Sequence, residues 1–206
     1  MIKDTYKTIA GMAEAEFVEQ RSRFISFAHF VDSEAAALEL VEHYRKEYND
    51  SRHVCWAYML GESYDNYRAN DDGEPSGTAG RPILGQINSH ELTNIIVLVV
   101  RYFGGIKLGT GGLVSAYQEG AAKAIENAKI VTKIIGKPLI FRYGYDATNE
   151  VNQALHGLEF NKVREEFTDI CLVELSVRAR DYEALFGRLE ALPSVEILSE
   201  KELLNG

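Results

Sequence analysis

The sequence predicts a mixed α/β (α+β) fold in two domains: an N-terminal α/β domain over residues 1–135 and a C-terminal ferredoxin-like α/β sandwich over residues 138–206. Three observations carry this. Residues 95–100 are an unbroken aliphatic, mostly β-branched run, the pattern of a strand buried on both faces of a sheet. The run ends at Arg101 and leads into five glycines, Gly104, Gly105, Gly109, Gly111 and Gly112, and then a helical pattern. Gly136, Lys137 and Pro138 punctuate the chain, and beyond them the order strand, helix, two strands, helix, strand is that of a ferredoxin-like sandwich.

Residues 5–10, 14–19 and 23–31 alternate or run apolar, with Gly11 and a polar stretch between them, and read as short antiparallel strands. Phe24, Ile25, Phe27 and Phe30 supply aromatic and aliphatic core. Asp32 or Ser33 can cap the helix that follows, in which Ala37, Val41, Tyr44 and Tyr48 recur on one face until Asn49 and Asp50 stop it. Residues 52–60 form a second buried strand with His53, Cys55 and Ala57 on one face. Residues 62–70, polar and without a period, are expected to be an exposed loop.

Residues 71–84, DDGEPSGTAGRPIL, combine acids, glycines and prolines in a way no plain strand tolerates. Pro75 fixes a turn, Ser76 or Thr78 can cap a short helix, Gly80 permits close backbone approach, and Pro82 fits only in a first turn. Asp71, Asp72 and Glu74 have three uses open to them: a hard cation, general acid and base work, or orientation of Arg81 and Arg101. The spacing of oxygen ligands in a calcium loop is absent. His53 and Cys55 lack the second pair of ligands that structural zinc needs, so neither a metal nor a cofactor is expected.

The glycine corner has two readings. Its backbone N–H groups can converge on an anion at a helix start, or its glycines serve only positive φ and tight packing. The phosphate-loop signature fails because Lys107 is followed by Leu108, and the dinucleotide spacing fails at Val114. The helix expected over 113–129 carries Ala116, Gly120, Ala121, Ala124 and Ala128 along one side, small enough to lie close on a sheet, with Glu119 and Lys123 paired outside. In the second domain, strands are expected over 139–145, 162–168, 170–178 and 195–199, and helices over 147–158, with Asp146 as a cap, and 181–192. Val173, Leu175 and Val177 share one face of the central strand.

An apolar fraction of 46% and a charged fraction of 26% are those of a globular chain, and no apolar run approaches the length of a membrane span. Residues 1–11 lack the apolar core of a signal peptide, and two cysteines are too few for a disulfide scaffold, so a reducing cytoplasm is expected. The net charge of −9 excludes binding of polyanions by bulk charge and demands a local basic patch. Arg81, Arg101 and Lys107, each beside a glycine motif, are its candidates.

DDGEPSGTAGRPIL and RYFGGIKLGTGGLVSAY, with RHVCWA upstream, resemble the signatures of the IMPACT family, and the whole chain is similar to its bacterial, YigZ-like branch. The resemblance implies an N-terminal domain like the second domain of a small-subunit ribosomal protein. It also implies a C-terminal domain like the last domain of elongation factor G. Eukaryotic relatives regulate translation through the activator of a stress-responsive kinase, using a further N-terminal domain that this sequence lacks. What carries over is a cytoplasmic, non-enzymatic binding protein whose partners are RNA, the ribosome or a protein of the translation machinery. Contact is expected in a groove between the domains or over the glycine corner, with Arg81, Arg101 and Lys107 on phosphate and Gly104, Gly105 and Gly109 allowing close approach. The alternative is a hydrolase using Asp72 or Glu74 as base, or Cys55 as nucleophile with His53.

Overall fold

The computed structural model describes residues 4–199; residues 1–3 and 200–206, at the outer ends of the two predicted domains, lie outside the described residues. The chain runs β1 (Thr5–Ile9), β2 (Met12–Glu19), β3 (Ser22–Phe30), α1 (Glu34–Glu47), β4 (His53–Leu60), β5 (Asn66–Asn70), α2 (Gly80–Ser89), β6 (Ile95–Tyr102), α3 (Gly109–Glu126) and β7 (Ile130–Ile134). It continues β8 (Gly136–Tyr143), a short 3₁₀ turn, α4 (Thr148–Leu155), β9 (Phe160–Phe167), β10 (Cys171–Arg178), α5 (Ala179–Glu190) and β11 (Val195–Leu198). It divides into two compact units, Lys7–Thr132 and the described residues outside that span. The chain passes between them on β1 and β7, which pair with each other.

In the Lys7–Thr132 unit, five antiparallel strands lie in the order β2, β3, β6, β4, β5. The apolar run of β6 takes the central position because both of its faces must leave water. Ile95, Val97 and Val99 pack with residues of α2 and α3, while Ile96, Leu98 and Val100 pack with Val41 and Tyr44 of α1. Helices therefore cover both faces of the sheet. Ser33 caps α1, its Oγ accepting from the N–H of Ala36 at 3.3 Å.

Three local expectations need correction. The polar stretch read as a loop over 62–70 contains β5, an edge strand paired with β4; an edge exposed to solvent has no need of apolar alternation. Neither Ser76 nor Thr78 caps α2. Asp71 does so from nine residues before Gly80, its Oδ1 accepting from Ala79 and Gly80 and its Oδ2 from Gly77. The third helix begins at Gly109 rather than Leu113, so its glycines form the first turn of the helix instead of a loop before it.

In the second unit the elements follow one another as β8, α4, β9, β10, α5 and β11, and the four strands form an antiparallel sheet ordered β11, β8, β10, β9, the arrangement of a split βαβ fold. Cys171, Val173, Leu175 and Val177 alternate inward along β10 and meet Leu185 and Leu189 of α5. Asp146 lies in the 3₁₀ turn, and α4 has no side-chain cap.

Candidate functional site

Arg101 sits at the end of a strand that is apolar on both sides, so its guanidinium enters the protein and requires a counter-charge. Glu74, in the turn after β5, supplies it: Nη1 of Arg101 lies 2.6 Å from Oε1, with only 6% and 4% of the two side chains exposed. The hydroxyl of Tyr117, on α3, donates to the same oxygen at 2.9 Å. The Arg101 guanidinium also lies 5.6 Å from the ring centroids of Phe24 and Phe103. Its Nε is buried and has no hydrogen-bond partner among the described residues.

A cavity of about 430 Å³ opens beside this pair. Arg52, Arg101 and Lys107 line it, with Glu74 the one carboxylate and His53 the one imidazole on its wall among the described residues. Pro75, Leu108, Leu113 and the exposed ring of Phe103 make its apolar side. Gly109 and Thr110 bring the N-terminus of α3 to it, and no side chain caps that helix. Arg52 and Lys107 make no ion pair among the described residues. Three cations against one carboxylate, added to an uncapped eighteen-residue helix, make a locally positive concavity in an acidic chain.

The expected basic residues are not all gathered. Arg101 and Lys107 line the cavity, whereas Arg81, exposed on the first turn of α2, does not. Gly109, at φ 73°, lies on the wall. Gly105, at φ 86°, is outside it, and Gly104 is pressed against the backbone of Arg21, where an added Cβ would sit 2.0 Å from the carbonyl.

The carboxylates and the cysteine are committed to structural contacts, which leaves the hydrolytic reading unsupported. Asp72 accepts from the N–H of Val54 at 2.7 Å and pairs with Arg45 at 2.6 Å. Glu74 is occupied by Arg101 and Tyr117. Partial burial pushes the Asp71 carboxyl up, but the N–H groups of Gly77, Gly80 and Ala79 outweigh it and hold it below the usual range. Burial pushes the Cys55 thiol well above its ordinary value, so no thiolate forms near neutrality. Its Sγ lies 3.0 Å from the Asp71 carbonyl and 3.3 Å from the Tyr117 hydroxyl. His53 donates from Nδ1 to the Asp72 carbonyl at 2.7 Å, and no bond joins it to Cys55. No group of three or more His, Cys, Asp and Glu among the described residues is arranged to hold a metal. No described helix is long and apolar enough to cross a membrane.

Arg52, Phe103 and Tyr117 were not singled out from the sequence. Arg52 and Phe103 flank buried strands at the same end of the sheet, and that adjacency is the signal that finds them. Tyr117 reads simply as one more apolar position of α3.

Residues 20–125 match the model of the Impact N-terminal domain. The chain is 35% identical over 156 residues to IMPACT family member YvyE of Bacillus subtilis, covering 76% of this chain and 72% of that protein. It is 45% identical over 108 residues to IMPACT family member YigZ of Escherichia coli, covering 52% and 53% of the two chains. A crystal structure described only as that of a hypothetical protein superposes with a TM-score of 0.70 at 28% identity, over 96% of this chain and 98% of the other.

Proposed function

This chain belongs to the IMPACT family, and from that premise we propose that it is a cytoplasmic, non-enzymatic RNA-binding protein that contacts phosphate in the cavity at the N-terminus of α3. The observation that carries the proposal is the cavity itself, which gathers the guanidinium of Arg101 with Arg52 and Lys107, neither of them in an ion pair among the described residues, at the start of α3. A phosphate oxygen fits such donors, and the helix end adds backbone N–H groups aligned with its dipole. Regulation of translation through RNA of the ribosome, or through a protein of the translation machinery, is the role that the family resemblance suggests. The likeness of the two units to a ribosomal-protein domain and to the last domain of elongation factor G is part of the same proposal; the β11, β8, β10, β9 strand order supports its second half.

The test is a titration of the full chain with ribosomal RNA across a salt series. Each lost phosphate contact makes the negative slope of log K against log salt shallower by about 0.7 for a single strand. Arg52→Ala with Lys107→Ala is expected to weaken binding and reduce that slope by roughly twice this amount. Arg81→Ala, outside the cavity, is expected to change little. Equal affinities and slopes for all three proteins overturn the proposal. Arg101→Ala is a poor probe because it leaves Glu74 buried without a counter-charge.

A further inference from the structure

The apolar side of the cavity has no role in holding a phosphate, yet it carries a large exposed ring. Phe103 is 46% exposed, and its contact with the Arg101 guanidinium orients it. An exposed aromatic beside a basic cavity is a platform for an unstacked base, tolerant of sequence because every base offers a π-face. Among the described residues Phe103 is the one phenyl or indole ring on the wall, so the platform serves one base. The volume is also that of a site for one small ligand rather than of a groove tracking a strand.

Charge narrows the ligand further. Glu74 neutralises Arg101, so the net attraction comes from Arg52, Lys107 and the helix end, the last equivalent to about half a charge. A phosphomonoester, at about −1.5 to −2 near neutral pH, matches this better than a singly charged diester within a strand. Independently of the charge count, the Nε of Arg101, buried in a side chain that lines the cavity, has no hydrogen-bond partner among the described residues.

We infer that the cavity takes a terminal nucleotide, its phosphomonoester at the N-terminus of α3 with Arg52 and Lys107 and its base on Phe103. The inference rests on the RNA-binding reading above. The same chemistry is offered by the 5′-phosphorylated end of single-stranded RNA and by a free nucleoside monophosphate.

The experiment compares three probes on the full chain: a short 5′-phosphorylated single-stranded oligoribonucleotide, the same strand with a 5′-hydroxyl, and AMP as competitor. The phosphorylated strand is expected to bind at least about tenfold tighter than the hydroxyl strand and to be displaced by AMP. Phe103→Leu is expected to weaken it about tenfold, and Phe103→Trp to restore it. Tighter binding of the phosphorylated strand than of AMP supports the inference with an RNA end as ligand, and equal binding supports it with the free nucleotide. If the two strands bind alike and Phe103→Leu changes neither, the inference is overturned. In that case, weakening of both strands by Arg52→Ala with Lys107→Ala leaves the RNA-binding reading standing, and no effect of that variant, or no binding at all, overturns both.

Discussion

Arg101 and Glu74 lie 27 positions apart in sequence and meet at 2.6 Å in a site almost closed to water. Such a pair adds little net stability over apolar packing, but removing one partner strands the other charge. Glu74→Ala is therefore expected to cost about 3–5 kcal/mol in urea denaturation. Arg101→Met with Glu74→Leu is expected to cost less than the sum of the single changes, because the stranded charge disappears. Additive costs would show that the two groups do not depend on each other.

The Cys55 thiol provides a second test. Both cysteines are buried, so a thiol reagent is expected to label the protein only after unfolding. Burial raises the folded-state pKa of Cys55, whereas the unfolded chain titrates near its ordinary value of about 8.5. Above that pH the unfolded state holds fewer protons, so stability is full below it and falls as pH rises, by at most about 1.4 kcal/mol per pH unit. Cys55→Ala is expected to flatten the part of this loss between about pH 8.5 and 10. An unchanged pH profile would assign the loss to other groups.

Gly104→Ala is expected to destabilise the fold by about 3 kcal/mol or more, since its Cβ would meet the Arg21 carbonyl at 2.0 Å. Gly85, on α2, has nothing within 4 Å of an added Cβ, and Gly85→Ala is expected to be neutral or mildly stabilising. Melting curves of the two variants check the contrast. Similar midpoints would mean that Gly104 owes its place to ligand approach alone.

The domain boundary is open to the same kind of check. The Lys7–Thr132 unit has its own two apolar layers on either side of β6. Residues 1–137 made alone are expected to melt cooperatively, with a midpoint close to that of the same unit in the full chain. A protein that aggregates or melts without cooperativity contradicts an independent first domain.

Most of the elements were legible because residues 95–100 are apolar on both faces, and because Val173, Leu175 and Val177 alternate. The β5 strand was not, because an exposed edge carries no hydrophobic period. Neither was the start of α3: glycine is a poor helix former, and the first turn there is held by the packing of Leu113, Ala116 and Tyr117 further along. At the site, Arg101 and Lys107 were visible as cations near glycines. The role of Glu74 was ambiguous, since whether a carboxylate is a base or a counter-ion depends on what folds against it. Arg52 joins Phe103 and Lys107 only when β4 and β6 are paired, with His53 opposite Arg101.

Phosphate binding at the start of α3 is tested most directly by following backbone amide resonances of the full chain during titration with 5′-phosphorylated single-stranded RNA. Phosphate bound in the cavity is expected to give saturable shifts at Gly109, Thr110 and Gly111, at the start of α3, together with the Arg101 Nε–H signal, and little change at Arg81. Saturation that leaves these amides unmoved while signals elsewhere shift would contradict phosphate binding in this cavity.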